Sequence, residues 1–201
     1  MLVGLGLFLA GGFFAYEKIG HVHERVVIWL HPWTSTKVFC PSTGGLALRQ
    51  DCESYQLVRS LYSIANGSFP GTGLGKGTFS TPEGGALIPF VNTDFIYSAL
   101  AQELGLIGVS AVLLLYLALV ARGMRVALLA QDGFSKLLAA GLSFGLALQT
   151  FIIVGGVLRL VPLTGITLPF VSYGGSSIVS NFVMLALLML VSHRAVRTAP
   201  T

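Results

Sequence analysis

Two acidic residues in an apolar part of the chain are the first candidates for chemistry. Asp94 lies in the sequence NTDF (92–95), where a Gly-rich polar stretch gives way to an apolar one, and Glu103 follows nine residues later. A carboxylate at the mouth of a membrane helix can cap the helix, because free amides and the helix dipole favour a negative charge there. It can equally act as a general base. Both roles are open for Asp94 from its chemistry alone.

Helix geometry separates the two acids. At about 100° of rotation per residue, nine positions carry Glu103 to the face opposite Asp94 on one straight helix, so the pair cannot form a shared carboxylate site. Glu103 is expected to pair with a group on another helix, such as Gln149, in a structural role. A role in a transport or proton pathway stays open, because acids inside the membrane often mark such pathways. The expected neighbours of Asp94 on its own face are Tyr97, Ser98, Ala101, Gly105 and Gly108.

The elements that must hold these residues are membrane helices. The chain has 201 residues, of which 54% are hydrophobic and only 10% charged, with a mean hydropathy of +0.80. Soluble domains usually carry about a quarter charged residues. Apolar stretches at about 2–16, 95–121, 137–158 and 174–192 predict an all-α polytopic membrane protein with four transmembrane helices in a single domain, 1–201. The first stretch is short, so we expect its beginning or preceding spans to lie outside this sequence.

Basic residues in the short loops predict the orientation. By the positive-inside rule, the loop after the second span and the segment after the last span are cytoplasmic, as are both termini. The loops 17–93 and 159–176 then face outward as extracytoplasmic loops. The basic residues are scattered without interleaved aromatics, so no nucleic-acid partner is expected. The basic residues that set the predicted orientation are Arg122, Arg125, Lys136, Arg194 and Arg197.

The large outer loop holds both cysteines and a Gly-rich run. An oxidising outer face permits a disulfide between Cys40 and Cys52, and two free thiols are the alternative. The run from Gly67 to Gly77 is not a P-loop, because Pro70 stands where a glycine is required and Gly77 where Ser or Thr is required. We expect tight backbone turns at the membrane surface, whose amides could also contact phosphate oxygens.

The second outer loop, 159–176, is apolar but interrupted by prolines and glycines. Irregular backbone at membrane depth is tolerated where protein buries it or where it lines a wet cavity. Ser172, Tyr173 and Ser176 are therefore expected to face a cavity or another helix. A plain helix-entry loop with serine caps is the alternative.

Several of these strings resemble one family. NTDFI (92–96) followed by ELG (103–105) looks like a motif of the SEDS proteins, the FtsW/RodA/SpoVE group, and PLTGITLPFVSYGGSS (162–177) is similar to the signature ahead of their last span. The family has ten spans, and this chain resembles the last four. Further strings fit in the same order, namely PW (32–33), YQ (55–56) and GTGLG (71–75), so the resemblance covers nearly the whole chain.

The resemblance implies a peptidoglycan glycosyltransferase in a bacterial cytoplasmic membrane. Such proteins polymerise lipid II into glycan strands at the outer face for elongation, division or sporulation, among membrane lipids and with a class B penicillin-binding protein as partner. The essential acid of the family falls on Asp94, as a catalytic base, an acceptor-orienting group or a ligand of a divalent cation; no other cofactor is implied. The other candidates for substrate binding are Lys76, Arg59, Arg159, Ser172 and Tyr173.

The chain also departs from the family pattern. Phe90 and Asn92 stand where many members have an acidic residue and a histidine, and the stretch 34–53 is longer than is usual. Two other interpretations remain. One is a lipid II flippase. The other is a truncated, non-catalytic scaffold that recruits the penicillin-binding protein, since a chain without six of the ten spans is expected to be inactive alone.

Overall fold

The computed structural model describes residues 4, 11–12, 14, 16–34, 37–40, 44–79, 88 and 91–197, without the side chains of residues 196 and 197. The predicted first span, 2–16, therefore lies largely outside the described residues. The elements with defined bounds are, in chain order, helix α1 (Gly20–Leu30), strands β1 (Lys37–Cys40) and β2 (Gly45–Leu48), a 3-10 turn (Arg49–Asp51), and helices α2 (Tyr55–Gly67), α3 (Ile96–Leu129), α4 (Gly133–Val157) and α5 (Gly175–Arg197).

Three helices in the described part of the chain are long and apolar enough to cross a membrane: Ile96–Leu129, Gly133–Val157 and Gly175–Ala195. They confirm an all-α membrane architecture and coincide with the second, third and fourth predicted spans. Helix α3 extends beyond residue 121, where the predicted second span ends. Arg122 and Arg125 continue the helix on its last turns, and α4 begins at once after Asp132, whose carboxylate caps it by accepting from the Ser135 N–H (2.8 Å).

The helices pack through small and apolar residues. One buried cluster joins the first half of α3 to the end of α4 and the loop 159–176, and includes Phe95, Val109, Val157 and Leu168. A second cluster at the opposite end includes Ala139, which is fully buried. Large leucines lie on the helix faces that point away from the packed core, such as Leu115 (70% exposed). Such a surface is typical of one that lies against lipid or other spans.

Helix α3 is broken at Gly105, which has φ 67° and ψ −172°. The Gly-rich run fills the break with backbone hydrogen bonds: Thr72 N–H donates to Gln102 O (2.9 Å), and Leu106 N–H donates to Ser68 O (3.0 Å). Polar groups freed inside a membrane helix must find partners of this kind. The expectation of one straight helix is therefore wrong, and the Gly-rich run has a structural role in completing α3.

Close approach explains why this run is rich in glycine. Gly71 has φ +82°, and a Cβ on it would lie 2.1 Å from the Glu103 carbonyl oxygen. A Cβ on Gly105 would lie 2.3 Å from Gly71 N. Neither position leaves room for a side chain, since both neighbours are backbone atoms.

Candidate functional site

Asp94 lies in the turn before α3 and is half-buried. The second outer loop holds the residues that precede it. Ser172 Oγ donates to Thr93 O (2.7 Å), and Tyr173 N–H donates to Asn92 O (2.8 Å). The position of the Asp94 carboxylate therefore depends on this loop, although the two segments are far apart in the sequence.

Two side chains from the spans hold the second outer loop in turn. Gln149 Nε2 donates to Thr167 O (2.9 Å), and the Tyr116 hydroxyl donates to Pro169 O. These bonds satisfy carbonyls of irregular backbone at membrane depth, where water is scarce. The loop is thus fixed from α3 and α4, as a rigid support for Asp94.

Arg25 of α1 brings a cation next to this carboxylate. A Cβ on Gly165 would lie 3.4 Å from Asp94 Oδ2 and 3.6 Å from Arg25 Nη2, so the two charged groups lie close to the same glycine. They are farther apart than the 4.0 Å of a salt bridge. Arg25 Nη1 donates to Leu163 O (2.6 Å), which ties the guanidinium to the same loop. A single group above Gly165 could therefore contact both charges.

Gly165 makes this arrangement feasible. Its φ of +73° is a conformation that residues with a Cβ rarely adopt. A side chain there would also fill the gap between the carboxylate and the guanidinium. The arrangement combines a carboxylate, suited to accepting a proton, with a guanidinium, suited to binding phosphate oxygens.

Arg159 fixes α1 against the second outer loop. Its Nε donates to Trp29 O (3.1 Å) and its Nη2 to Leu30 O (3.3 Å), while the Trp29 indole N–H donates to Arg159 O (2.9 Å). The guanidinium also lies 5.1 Å from the centre of the Trp33 ring. The last carbonyls of a helix lack partners within it, and a cation is favoured there. Arg159 thus anchors the helix that carries Arg25.

Comparison with known proteins decides the family. The FtsW/RodA/SpoVE family model, described as "Cell cycle protein", matches residues 3–197. The chain belongs to the FtsW/RodA/SpoVE family. The three apolar helices and this membership together make it a membrane-embedded protein.

Relatives in this family are named for peptidoglycan synthesis. The peptidoglycan glycosyltransferase RodA of Mycobacterium tuberculosis is 46% identical over 203 residues, covering 100% of this chain and 39% of the relative. The probable peptidoglycan glycosyltransferase FtsW of Geobacter metallireducens is 36% identical over 182 residues, covering 90% of this chain and 44% of that protein. A similar chain occurs in the solved structure described as "Structural coordination of polymerization and crosslinking by a peptidoglycan synthase complex". It has a TM-score of 0.66 and 26% sequence identity, and the match covers 97% of this chain and 49% of that chain. The chain thus spans less than half the length of these relatives.

The other basic candidates lie elsewhere on the FtsW/RodA/SpoVE scaffold. Arg59 is exposed on α2, with its guanidinium 5.2 Å from the centre of the Tyr55 ring. Lys76 is exposed in the Gly-rich run, where its Cδ would lie 3.4 Å from a Cβ on Gly73. Neither forms an ion pair with Asp94. Arg25, which the sequence interpretation did not select, stands beside the carboxylate instead.

Ser172 and Tyr173 have different environments. Ser172 is 1% exposed, and its hydroxyl also accepts from Leu168 N–H (2.8 Å). Since both bonds go to backbone, we assign Ser172 to holding the segment before Asp94 rather than to a cavity floor. The Tyr173 side chain is 77% exposed.

Glu103 and Gln149 do not pair with each other. Gln149 donates to the second outer loop, and Glu103 is half-buried next to the break in α3, where its backbone carbonyl accepts from Gly73 N–H (3.0 Å). A partner for the Glu103 carboxylate on a span outside this chain stays a prediction.

The two cysteines form a disulfide, with their Cα atoms 5.7 Å apart. It joins the end of β1 to the residues just before α2. The strands of the hairpin pair antiparallel, with Phe39 opposite Leu46. The described residues of the long stretch 34–53 therefore include a paired hairpin that is tied to the segment before α2.

A divalent cation does not fit the described residues around Asp94. Such ions take several oxygen ligands, usually from more than one carboxylate. Among the described residues no three His, Cys, Asp or Glu side chains come together, and the neighbour of Asp94 is the cationic Arg25.

Proposed function

We propose that this chain is part of a peptidoglycan glycosyltransferase that polymerises lipid II at the outer face of the cytoplasmic membrane. The observation that carries the proposal is the placement of Asp94 and Arg25 next to the same residue, Gly165. The names of the relatives support it. Because the chain spans less than half of those relatives, the activity belongs to the whole protein.

In the proposed reaction, a sugar hydroxyl of the acceptor attacks the anomeric carbon of the donor. Asp94 accepts the hydroxyl proton as the new C–O bond forms. The bond from the anomeric carbon to the diphosphate breaks, and its electron pair leaves with the diphosphate oxygen. Arg25 binds this developing negative charge, and its guanidinium is already held by the second outer loop at Leu163 O.

Membership of this family and the charge pattern support an outward-facing site. Asp132 and Arg194 line one recess of about 300 Å³ together with Ala130 and Ala195, so the ends of α3 and α5 and the start of α4 share one side. We assign this basic side to the cytoplasm and the opposite side, with α1 and Asp94, to the exterior. A class B penicillin-binding protein is the proposed partner there.

A feature that favours a transporter is the break in α3, because transporters place broken helices around a substrate site. In this chain the groups freed near Gly105 are bonded to the backbone of Ser68, Thr72 and Gly73. Backbone groups of this chain therefore already occupy the hydrogen-bonding positions that a substrate would use at the break in α3. This argues for the polymerase over the flippase.

The test is polymerisation of purified lipid II by the full product of the gene in detergent, with its penicillin-binding protein. Asp94→Asn keeps the shape of the side chain and removes the base, and we expect a loss of about 100-fold or more in rate. Asp132→Asn, on the opposite side, is the matched control and keeps the parental rate. Polymerisation by Asp94→Asn at the parental rate contradicts the proposal. If translocation in vesicles stops while polymerisation continues, the flippase is the correct function.

A further inference from the structure

A small pocket of mixed chemistry adjoins the Asp94 and Arg25 pair. It has a volume of about 150 Å³, with room for one sugar-sized group rather than a chain of them. Arg25 belongs both to this pocket and to the gap over Gly165. Its walls are Arg25, Ile28 and Trp29 of α1, Glu53, Gln56 and Leu57 at the start of α2, and Gly156 and Leu163 below.

The polar groups of this pocket have hydrogen-bonding capacity left over. Glu53 uses Oε2 for Arg49 Nε (3.0 Å), which leaves Oε1 available. Within the described part of the chain the Gln56 side chain forms no hydrogen bond, and Arg25 donates to Leu163 through Nη1, so Nη2 is available. The pocket therefore offers donors and acceptors side by side.

The apolar wall of the pocket is fixed. The indole N–H of Trp29 donates to Arg159 O (2.9 Å), so the orientation of the ring is set from outside the pocket. Ile28 and Leu57 complete this wall. An aromatic wall of fixed orientation combined with a few polar groups is typical of sites that orient one small group.

We propose that this pocket is a subsite for one sugar ring of the lipid-linked substrate, with Arg25 at its border bound to the adjoining phosphate. This inference rests on the proposed function, whose substrate carries both groups. A sugar ring presents hydroxyls at its edge and C–H groups on its faces, which match the polar Glu53 and Gln56 and the aromatic Trp29 of the pocket lining. The carboxylate of Glu53 disfavours a purely anionic headgroup in the same space.

The long insertion of this chain builds one wall of the subsite. Glu53 follows Cys52 directly, and the disulfide to Cys40 holds that position against the hairpin. The ion pair with Arg49 fixes the side chain from the same segment. The subsite is thus coupled to the hairpin, which ties substrate affinity to an element that the sequence marks as unusually long.

The experiment measures kcat and KM for lipid II with the full gene product in detergent. Gln56→Leu and Glu53→Gln remove one hydrogen-bonding function each, and we expect each to raise KM about 3- to 10-fold with kcat nearly unchanged. Matched controls are Gln50→Leu and Glu24→Gln, which lie outside the pocket and leave KM unchanged. Gln56→Glu keeps the size of the side chain and a hydrogen-bond acceptor, so its KM should rise less than that of Gln56→Leu. Melting temperatures of all variants separate lost binding from lost folding.

The outcomes separate this inference from the proposed function. A KM for folded Gln56→Leu and Glu53→Gln equal to that of the controls rules out the subsite, as does a fall in kcat at constant KM. The proposed function still stands in either case if Asp94→Asn is inactive. An active Asp94→Asn variant overturns the proposed function and this inference together.

Discussion

The guanidinium of Arg25 and the carboxylate of Asp94 lie beside one glycine without forming a salt bridge. A direct ion pair would use the hydrogen-bonding capacity of both groups. Because the loop binds the Arg25 guanidinium and the backbone just before Asp94, both charged groups lie close together and stay available to a third group. That is the arrangement expected of a site that binds an anion and handles a proton in one place.

Replacing Arg25 tests whether its guanidinium takes part in lipid II polymerisation. Removing one preorganised donor to developing charge commonly costs about 100-fold in rate, and we expect that loss for Arg25→Gln in lipid II polymerisation. Arg25→Lys keeps the charge without the planar fork and should recover part of the rate. Arg59→Gln, an equally exposed arginine on α2, is the control. Equal rates for Arg25→Gln and Arg59→Gln would remove Arg25 from the site.

A methyl group on Gly165 tests the gap itself. Gly165→Ala puts a carbon 3.4 Å from Asp94 Oδ2 at a φ of +73°, so it both strains the loop and occupies the space between the charges. We expect polymerisation to fall at least about 10-fold with a modest loss of stability, since a strained φ costs on the order of 1–2 kcal/mol. Gly175→Ala, at the start of α5 with nothing within 4 Å, is the control. Full activity of folded Gly165→Ala would show that substrate does not use this gap.

The sequence predicts the spans better than it predicts the surroundings of Asp94. Apolar runs are local, so α3, α4 and α5 were found with errors mainly at their ends. Arg25 was missed because its helix meets Asp94 only through the second outer loop, and no periodicity in the sequence records such a contact. The break at Gly105 was missed for a related reason. Its partner is the distant Gly-rich run, and a glycine in a membrane helix is equally typical of close packing.

Alanine substitutions at the break test the role of the Gly-rich run. Gly71→Ala and Gly105→Ala each place a methyl group within 2.1 to 2.3 Å of backbone atoms, which must then move. We expect destabilisation of about 1–3 kcal/mol or more, seen as a lower melting temperature in detergent. Gly141→Ala in α4, with nothing within 4 Å, should change little. Unchanged melting of Gly71→Ala would mean that the run does not close the break.

The cap at Asp132 predicts a pH dependence of stability. The backbone hydrogen bond from Ser135 holds the pKa of Asp132 below its usual range, with a smaller contribution from Arg194. A depressed pKa means that the carboxylate stabilises the fold at pH values above the unfolded pKa, near 3.9, and that this contribution is lost as pH falls through the lower folded pKa. Asp132→Asn keeps a capping oxygen but does not titrate. The melting temperature of the parent should therefore fall relative to this variant between about pH 5 and pH 3. A constant difference would contradict the cap.

Removing the disulfide tests the coupling of the hairpin to the pocket. The bond closes a loop with a sequence separation of 12, for which chain entropy alone gives about 3 kcal/mol. We expect the double variant Cys40→Ser, Cys52→Ser to expose the hairpin to limited proteolysis, because the loop then opens more readily. Since Glu53 loses its fixed position next to Cys52, KM for lipid II should rise while kcat stays close to that of the parent. Reductant should raise KM in the parent toward that of the double variant, because it opens the bond between Cys40 and Cys52. A protease-sensitive double variant with parental KM would separate the hairpin from substrate binding and confine the disulfide to stability.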